Sequence, residues 1–394
     1  MFSSLWPRLG ILVHIIEREL LKLFWIFPIR DNRILFQSFE AANGYNDNPK
    51  YLCDYLNREY PGRYELIFTI NRKNDLQLET IKRVNYRSIK WLYYLATARV
   101  VVVNVRMSFL LSRRKNQLVI NTWHAGGAYK RTGLRDNTDL LTHQWMENKR
   151  RKYNNLLISS SEKFTKYNIE ESMKYTGQIL KCGMPRNDAF FDPQAVAAMS
   201  KKVRKELNIE DAYCVLYAPT FRKNSTAVKA VPPFQRIVDA LKEKSKNRVV
   251  IMVRKHHYDP NIYEFFNTEP YLMDVTLYPD MQELLCCADM LITDYSSSIW
   301  DYAILGKPCF LYTLDLEEYE KEDRGFFTPV DKWPGIVCRD DDELVRAVKE
   351  TTTEKAKIIA RNHMEYMGSY ESGHASRLIS EYINDYLAFH RNPG

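Results

Sequence analysis

From residue 33 onward the chain alternates short apolar runs, rich in β-branched residues, with longer stretches of helical character. RILFQSF (33–39), YELIFTI (64–70), RVVVVN (99–104), QLVIN and NLLISS (155–160) read as strands, with NPKYLCDYLNREY and SIKWLYYLATA as helices among them. Strands that are apolar throughout need cover on both faces, and crossover helices supply it, so the pattern predicts a parallel sheet. After KCGMPRNDAFF (181–191) the alternation restarts with VLYAPTF (215–221), RVVIMVR (248–254), DVTLY (274–278), MLITD (290–294) and PCFLYT (308–313). Two such runs predict an α/β fold of two Rossmann-like domains facing a cleft, residues 32–190 and 191–372. SRLISEYINDYLAF (376–389) reads as a closing helix within 373–394.

Residues 1–31 follow a different pattern. LWPRLGILVHIIERELLKLFWIF (5–27) has the length of a membrane span, but Arg8, Glu17, Arg18, Glu19 and Lys22 interrupt it. At about 100° per residue, Leu5, Leu9, Leu12, Val13, Ile16, Leu20, Leu23, Phe24 and Phe27 share an arc of roughly 120°. Charges lie inside and after the apolar part and no small-residue cleavage site follows, which argues against a cleaved signal. An amphipathic helix of this kind packs on its own protein or lies in a bilayer interface, and Trp6, Trp25, Arg8 and Arg30 favour the interface.

Hydrophobic residues at 45% and charged residues at 27% are those of a folded globular chain. The net charge of +8 suits an anionic partner. With no run of five basic residues and no nucleic-acid module, a phosphorylated substrate or an acidic lipid surface ranks above nucleic acid. The seven cysteines form no CxxC pair and no metal-ligand spacing, so neither a disulfide framework nor a zinc site is expected.

In open α/β sheets ligands bind beyond the carboxyl ends of the strands. Four expected strand ends carry chemistry. QLVINTW leads to His124, then Gly126 and Gly127; a lone imidazole beside a glycine-opened turn is a candidate general base. VLYA leads to Pro219, Thr220 and Arg222, and VVIMV to Arg254, Lys255, His256 and His257. Arginine meets phosphate oxygens with a fork of donors, and lysine adds a point charge. MLIT leads to Asp294 and then Ser296, Ser297 and Ser298 at a helix start, where free N–H groups and hydroxyls form an anion site. Asp301, inside that helix, is either an acceptor for ligand hydroxyls or a solvated face residue.

The chain has neither G-x-x-x-x-G-K-[ST] nor a G-x-G-x-x-G after its first strand, which disfavours NTPase and dinucleotide readings. No D-x-D follows a strand, and Asp340-Asp341-Asp342 reads as a helix N-terminus. Cations rather than a divalent metal would neutralise a leaving phosphate, so no cofactor and metal-independent chemistry are expected.

At these residues the chain resembles the CDP-glycerol:poly(glycerophosphate) glycerophosphotransferases, the teichoic-acid and capsule polyol-phosphate polymerases of bacteria. The resemblance covers about residues 33–370. It rests on TWHAGGAYKRTG, GMPRND, YAPTFR, the R-x-H of VRKH and, above all, ITDYSSSIWDYAILGKPCFLYTLDLEEYEKEDRGFF. It implies a GT-B-like fold with a CDP-polyol between an acceptor domain and a donor domain. By motif position His124 is implied as base, and Ala125, Gly126, Gly127 and Ala128 as the acceptor and phosphate side. Arg186, Pro219, Thr220, Arg254, Lys255, His256, Ser296, Ser297 and Asp301 are implied as donor contacts, with His256 a second catalytic residue on the pyrophosphate. Where many members have H-G-T-P, this chain has HAGGAY, so its acceptor-side wall differs.

The implied reaction is transfer of glycerol phosphate from CDP-glycerol to a lipid-linked or growing acceptor at the cytoplasmic membrane face, with release of CMP. CDP-ribitol as donor, a nucleotide-sugar glycosyltransferase on the same fold, and a non-catalytic membrane-surface protein are the alternatives.

Overall fold

The computed structural model describes residues 16, 18–39, 44–71, 79–105, 112–132, 155–220, 231–243, 247–255, 269–322 and 325–391. Two parallel sheets organise them. The first contains β1 (Arg30–Gln37), β2 (Glu65–Ile70), β3 (Lys82–Asn85), β4 (Ala98–Val103), β5 (Leu118–Asn121), β6 (Leu156–Ser159) and β7 (Gln178–Lys181). Its order is β3-β2-β1-β4-β5-β6-β7. The second contains β8 (Tyr213–Ala218), β9 (Val249–Val253), β10 (Leu272–Asp274), β11 (Met290–Thr293), β12 (Cys309–Tyr312) and β13 (Ile336–Cys338), in the order β10-β9-β8-β11-β12-β13. Each sheet reverses its strand order once, between β1 and β4 and between β8 and β11.

The apolar runs are buried on both faces, as parallel strands require. Along β1 and β4, Ile34, Phe36, Val100 and Val102 join one core, whereas Leu35, Val101 and Val103 join the other. The second sheet alternates likewise, with Cys214 and Leu216 on one side and Val215 and Tyr217 on the other. The closing helix, Ala375–Arg391, sends Ile379, Ile383 and Leu387 back into the core of the first sheet.

The sequence pattern missed β3, β7 and β13 and misplaced β10. All four are sheet edges with partly exposed residues, which need no continuous apolar run. DVTLY is not a strand: β10 ends at Asp274, whose Oδ1 accepts the N–H of Thr276 at 2.8 Å and turns the chain.

Residues 18–23 are helical and run into a 3-10 turn, Phe24–Ile26. The helix docks through Leu21, which is 1% exposed, with Phe24 and Trp25 beside it. Apart from Phe24, the described part of its expected apolar arc points elsewhere: Ile16, Leu20, Leu23 and Phe27 are 41–64% exposed, and the adjoining Ile26 is 82% exposed. Leu5, Leu9, Leu12 and Val13 lie outside the described residues. Among the described residues no helix is long and apolar enough to cross a membrane.

Candidate functional site

The carboxyl ends of both sheets face a cleft of about 270 Å³. His124, Arg186, Pro219, Arg254, Lys255, Ser296, Ser297 and Asp301, drawn from well-separated parts of the sequence, all line it. Ala125, Gly126, Gly127, Ala128 and Thr220 do not. His256 and His257 lie outside the described residues.

His124 follows β5 and meets the β1–β4 reversal point of the first sheet. Its Nδ1 lies 3.0 Å from the carbonyl oxygen of Asn104, just past β4. A carbonyl only accepts, so in the neutral ring Nδ1 carries the proton and Nε2 the lone pair. The ring stacks on Trp123 and meets the edge of Phe39, with centroids at 4.9 and 5.4 Å. Trp123, Phe39 and Asp47 take positive φ values of 56°, 43° and 58°. Each costs about 1 kcal/mol for a residue with a side chain, and such strain persists where the surroundings hold it.

The two arginines of the cleft differ in kind. Arg186, in the 3-10 segment Pro185–Phe191, is 3% exposed and paired with Asp301 and Asp47. Burial opposes its charge, but the two carboxylates outweigh that and keep its pKa above the ordinary value. Arg254, after β9, has a buried Nη1 with no hydrogen-bond partner among the described residues. Burial lowers its pKa against the pull of Asp280. Lys255 is engaged at the cleft wall, its Nζ 3.2 Å from Asp274. Arg254 therefore lines the cleft with a donor that no described residue uses.

The serines open the helix Ser298–Leu305 after β11, beside the second sheet's reversal point. Ser296 Oγ accepts the N–H of Ser298 at 3.3 Å, while Ser297, at the N-cap position, makes no side-chain cap bond. Asp301 is no solvated face residue: at 3% exposure it accepts from Arg186, from Asn187 at 2.9 Å and from Gln282 at 3.0 Å. These bonds occupy the oxygens that a ligand hydroxyl would need.

The glycine turn has a different purpose from the one its sequence suggested. A Cβ on Gly126 would fall inside the indole of Trp300, and one on Gly127 would stand 2.9 Å from it. The chain then crosses to the second sheet, where Arg131 N donates to Gly325 O at 2.7 Å and Phe327 N to Tyr129 O at 2.8 Å. Ala128 is consequently fully buried in the second sheet's core. Thr220 is held at its backbone, its N–H donating to Asp294 at 2.9 Å.

Phe39, Asp47 and Asp280 also line the cleft, which the sequence did not indicate. Asp280 caps the helix Met281–Cys287 through Gln282 N at 3.0 Å, so its sequence context reads as an ordinary N-cap. Among the described residues no three His, Cys, Asp or Glu side chains are grouped to hold a metal ion.

Two parallel sheets meeting at a cleft that holds a tautomer-fixed imidazole, a guanidinium with an unused donor and a serine-led helix start define an α/β group-transfer enzyme for an anionic donor. More particularly, the chain belongs to the CDP-glycerol:poly(glycerophosphate) glycerophosphotransferase family, whose model matches residues 19–385. It is 27% identical over 373 residues to a teichoic acid poly(glycerol phosphate) polymerase of Bacillus spizizenii, covering 91% of this chain and 94% of that one. It spans 45% and 51% of the polymerases of that name from Bacillus subtilis and Staphylococcus epidermidis. A teichoic acid ribitol-phosphate primase of B. spizizenii is also 27% identical, with 92% and 93% coverage. A variant of the wall teichoic acid polymerase TagF, soaked with CDPG, superposes with a TM-score of 0.84 at 25% identity, over 99% of this chain and 98% of that one.

Proposed function

We propose that this glycerophosphotransferase takes glycerol phosphate from CDP-glycerol and joins it to a hydroxyl of a lipid-linked or growing cell-wall acceptor. The observation that carries the reading is the Nδ1 contact of His124 with Asn104 O, which leaves the lone pair on Nε2 at a cleft lined by Arg254, whose Nη1 has no partner among the described residues. The acceptor O–H gives its proton to Nε2, and the oxygen forms a bond to the β-phosphorus. The bond from that phosphorus to the bridging oxygen breaks, and CMP departs with the electron pair. Arg254 and the serine helix start stabilise charge on the transferring and leaving phosphates. His256 is expected to join them on the pyrophosphate. The fold is read as GT-B-like, with residues 32–190 the acceptor side, 191–372 the donor side and no metal required. The exposed stripe of the N-terminal helix docks the enzyme peripherally on the cytoplasmic membrane face.

The ribitol-phosphate relative keeps CDP-ribitol as the second donor reading. CMP release from CDP-glycerol and from CDP-ribitol, each with a lipid-linked acceptor and with EDTA present, decides between them. Release from CDP-glycerol alone, unaffected by EDTA and lost in His124→Ala, is the expected result. Release from neither donor by folded protein returns the nucleotide-sugar reading, and an undiminished His124→Ala rate overturns the base assignment.

A further inference from the structure

We propose that Arg186 is the positioning residue of His124, tying the base to the serine helix, and not a ligand of the donor phosphates. The proposal rests on the reading of His124 as the base. Arg186 Nε and Nη2 each donate to a different oxygen of Asp301 at 3.1 Å. Nη1 donates to Asp47 Oδ2 at 3.0 Å and to the backbone oxygen of His124 at 2.8 Å. Two carboxylates on one guanidinium leave it no net positive charge to offer a phosphate, and four of its five N–H donors are already engaged.

Those partners come from both sides of the cleft. His124 and Asp47 belong to the first-sheet side, and Asp301 stands on the serine helix of the second. Gln282 and Asn187 complete the carboxylate's bonds and hold Asp301 in place. One guanidinium thus bonds directly to both the segment that carries the proton acceptor and the helix start that meets the phosphates, beside the packing of Gly126 on Trp300. A displacement of about 1 Å there costs roughly a hundredfold in rate. Arg254 provides the contrast within the same cleft, since its Nη1 is buried and lacks a partner among the described residues.

The test separates binding from turnover, using CDP-glycerol and CMP titrated calorimetrically and CMP release in the steady state. Arg186→Lys keeps the charge but cannot hold Asp301, Asp47 and the His124 carbonyl together. It is expected to lower kcat by about a hundredfold. Donor Kd should stay within about threefold and stoichiometry near one per chain, whereas Arg254→Lys should weaken Kd by about tenfold or more. If Arg186→Lys does not fold, Asp47→Asn removes one link and leaves the Asp301 fork, with a kcat loss of about tenfold at unchanged Kd. A Kd that weakens in step with kcat makes Arg186 a donor ligand and overturns the proposal. Absence of CDP-glycerol and CMP binding to the wild-type protein would instead fail the functional reading itself.

Discussion

Trp300 fills the space that a side chain on Gly126 would need, and its Nε1 is held 2.8 Å from Glu371 Oε1. The glycine therefore serves packing between the two sheets. Gly126→Ala forces the methyl into a fixed indole and should lower stability by about 3 kcal/mol, because overpacking in a tight core is not relieved by rotamer change. Trp300→Leu makes room. In a double-mutant cycle the two substitutions together should cost at least about 1 kcal/mol less than the sum of the singles, read by urea unfolding. Strict additivity would show that the two residues do not oppose each other.

This pair also marks what the sequence could convey. Period and composition were enough to place the buried strands, because a parallel strand covered on both faces has to be apolar throughout. The strand-end rule brought His124, Pro219, Arg254 and Ser296 to one cleft, since it follows from topology alone. Pairwise contacts were not legible. Nothing local distinguishes Arg186, engaged by two carboxylates, from Arg254, whose Nη1 faces none. Gly126 next to a histidine reads as room for a ligand until Trp300, far along the chain, is seen against it.

Asp280 offers a test in which stability and affinity move in opposite senses. Lys50 and Tyr51, from the helix Asp47–Glu59, reach across to its carboxylate, Lys50 as an ion pair and Tyr51 Oη at 3.0 Å. The same carboxylate acts on Arg254 in the cleft. Asp280→Asn keeps a competent N-cap but breaks the pair, and should cost about 3 kcal/mol, as the loss of one partner of a buried pair does. Removing a negative charge from an anion-binding cleft should tighten CDP-glycerol binding a few-fold, more so at low salt. Weaker donor binding in this variant would mean that Asp280 supports the pocket's shape rather than opposing its ligand.

Two buried groups titrate in opposite senses. Burial lowers the His363 pKa from 6.5 to about 4, with Nδ1 2.6 Å from Lys332 O and Nε2 2.8 Å from Tyr129 Oη. Its contribution to stability is present above pH 6.5 and is lost as pH falls towards 4. Burial raises the Glu371 pKa from 4.5 to about 7, although Trp300, Met184 and Asn187 all donate to its carboxylate. The folded state then binds the extra proton between those values, so stability falls as pH rises from about 4.5 to about 7. Each effect is on the order of 3 kcal/mol, and between pH 4.5 and 6.5 they offset one another. Glu371→Gln should leave a stability that climbs with pH in that window, and His363→Gln one that declines. Melting temperatures at half-unit pH steps check the pair; slopes of the same sign in both variants would refute the assignment.

The N-terminal helix docks on the protein through Leu21 and turns Ile16, Leu20, Leu23, Ile26 and Phe27 outward, with Ile89 of the neighbouring helix 76% exposed. Arg30 and Lys90 are exposed in the same part of the fold, as is Lys22, which pairs with Glu19 at 3.1 Å. An apolar face among cations suits the interface of an anionic bilayer. Burying a leucine or isoleucine side chain is worth about 1.5–3 kcal/mol, so each exposed residue adds roughly tenfold or more to partitioning. Leu23→Glu with Ile26→Glu should therefore abolish flotation with phosphatidylglycerol vesicles while leaving the melting temperature unchanged, because neither side chain contributes to the core. CMP release with a water-soluble acceptor should persist, and release with a vesicle-borne acceptor should fall with the lost binding. Unchanged flotation combined with a lower melting temperature would assign this stripe to packing within the protein instead.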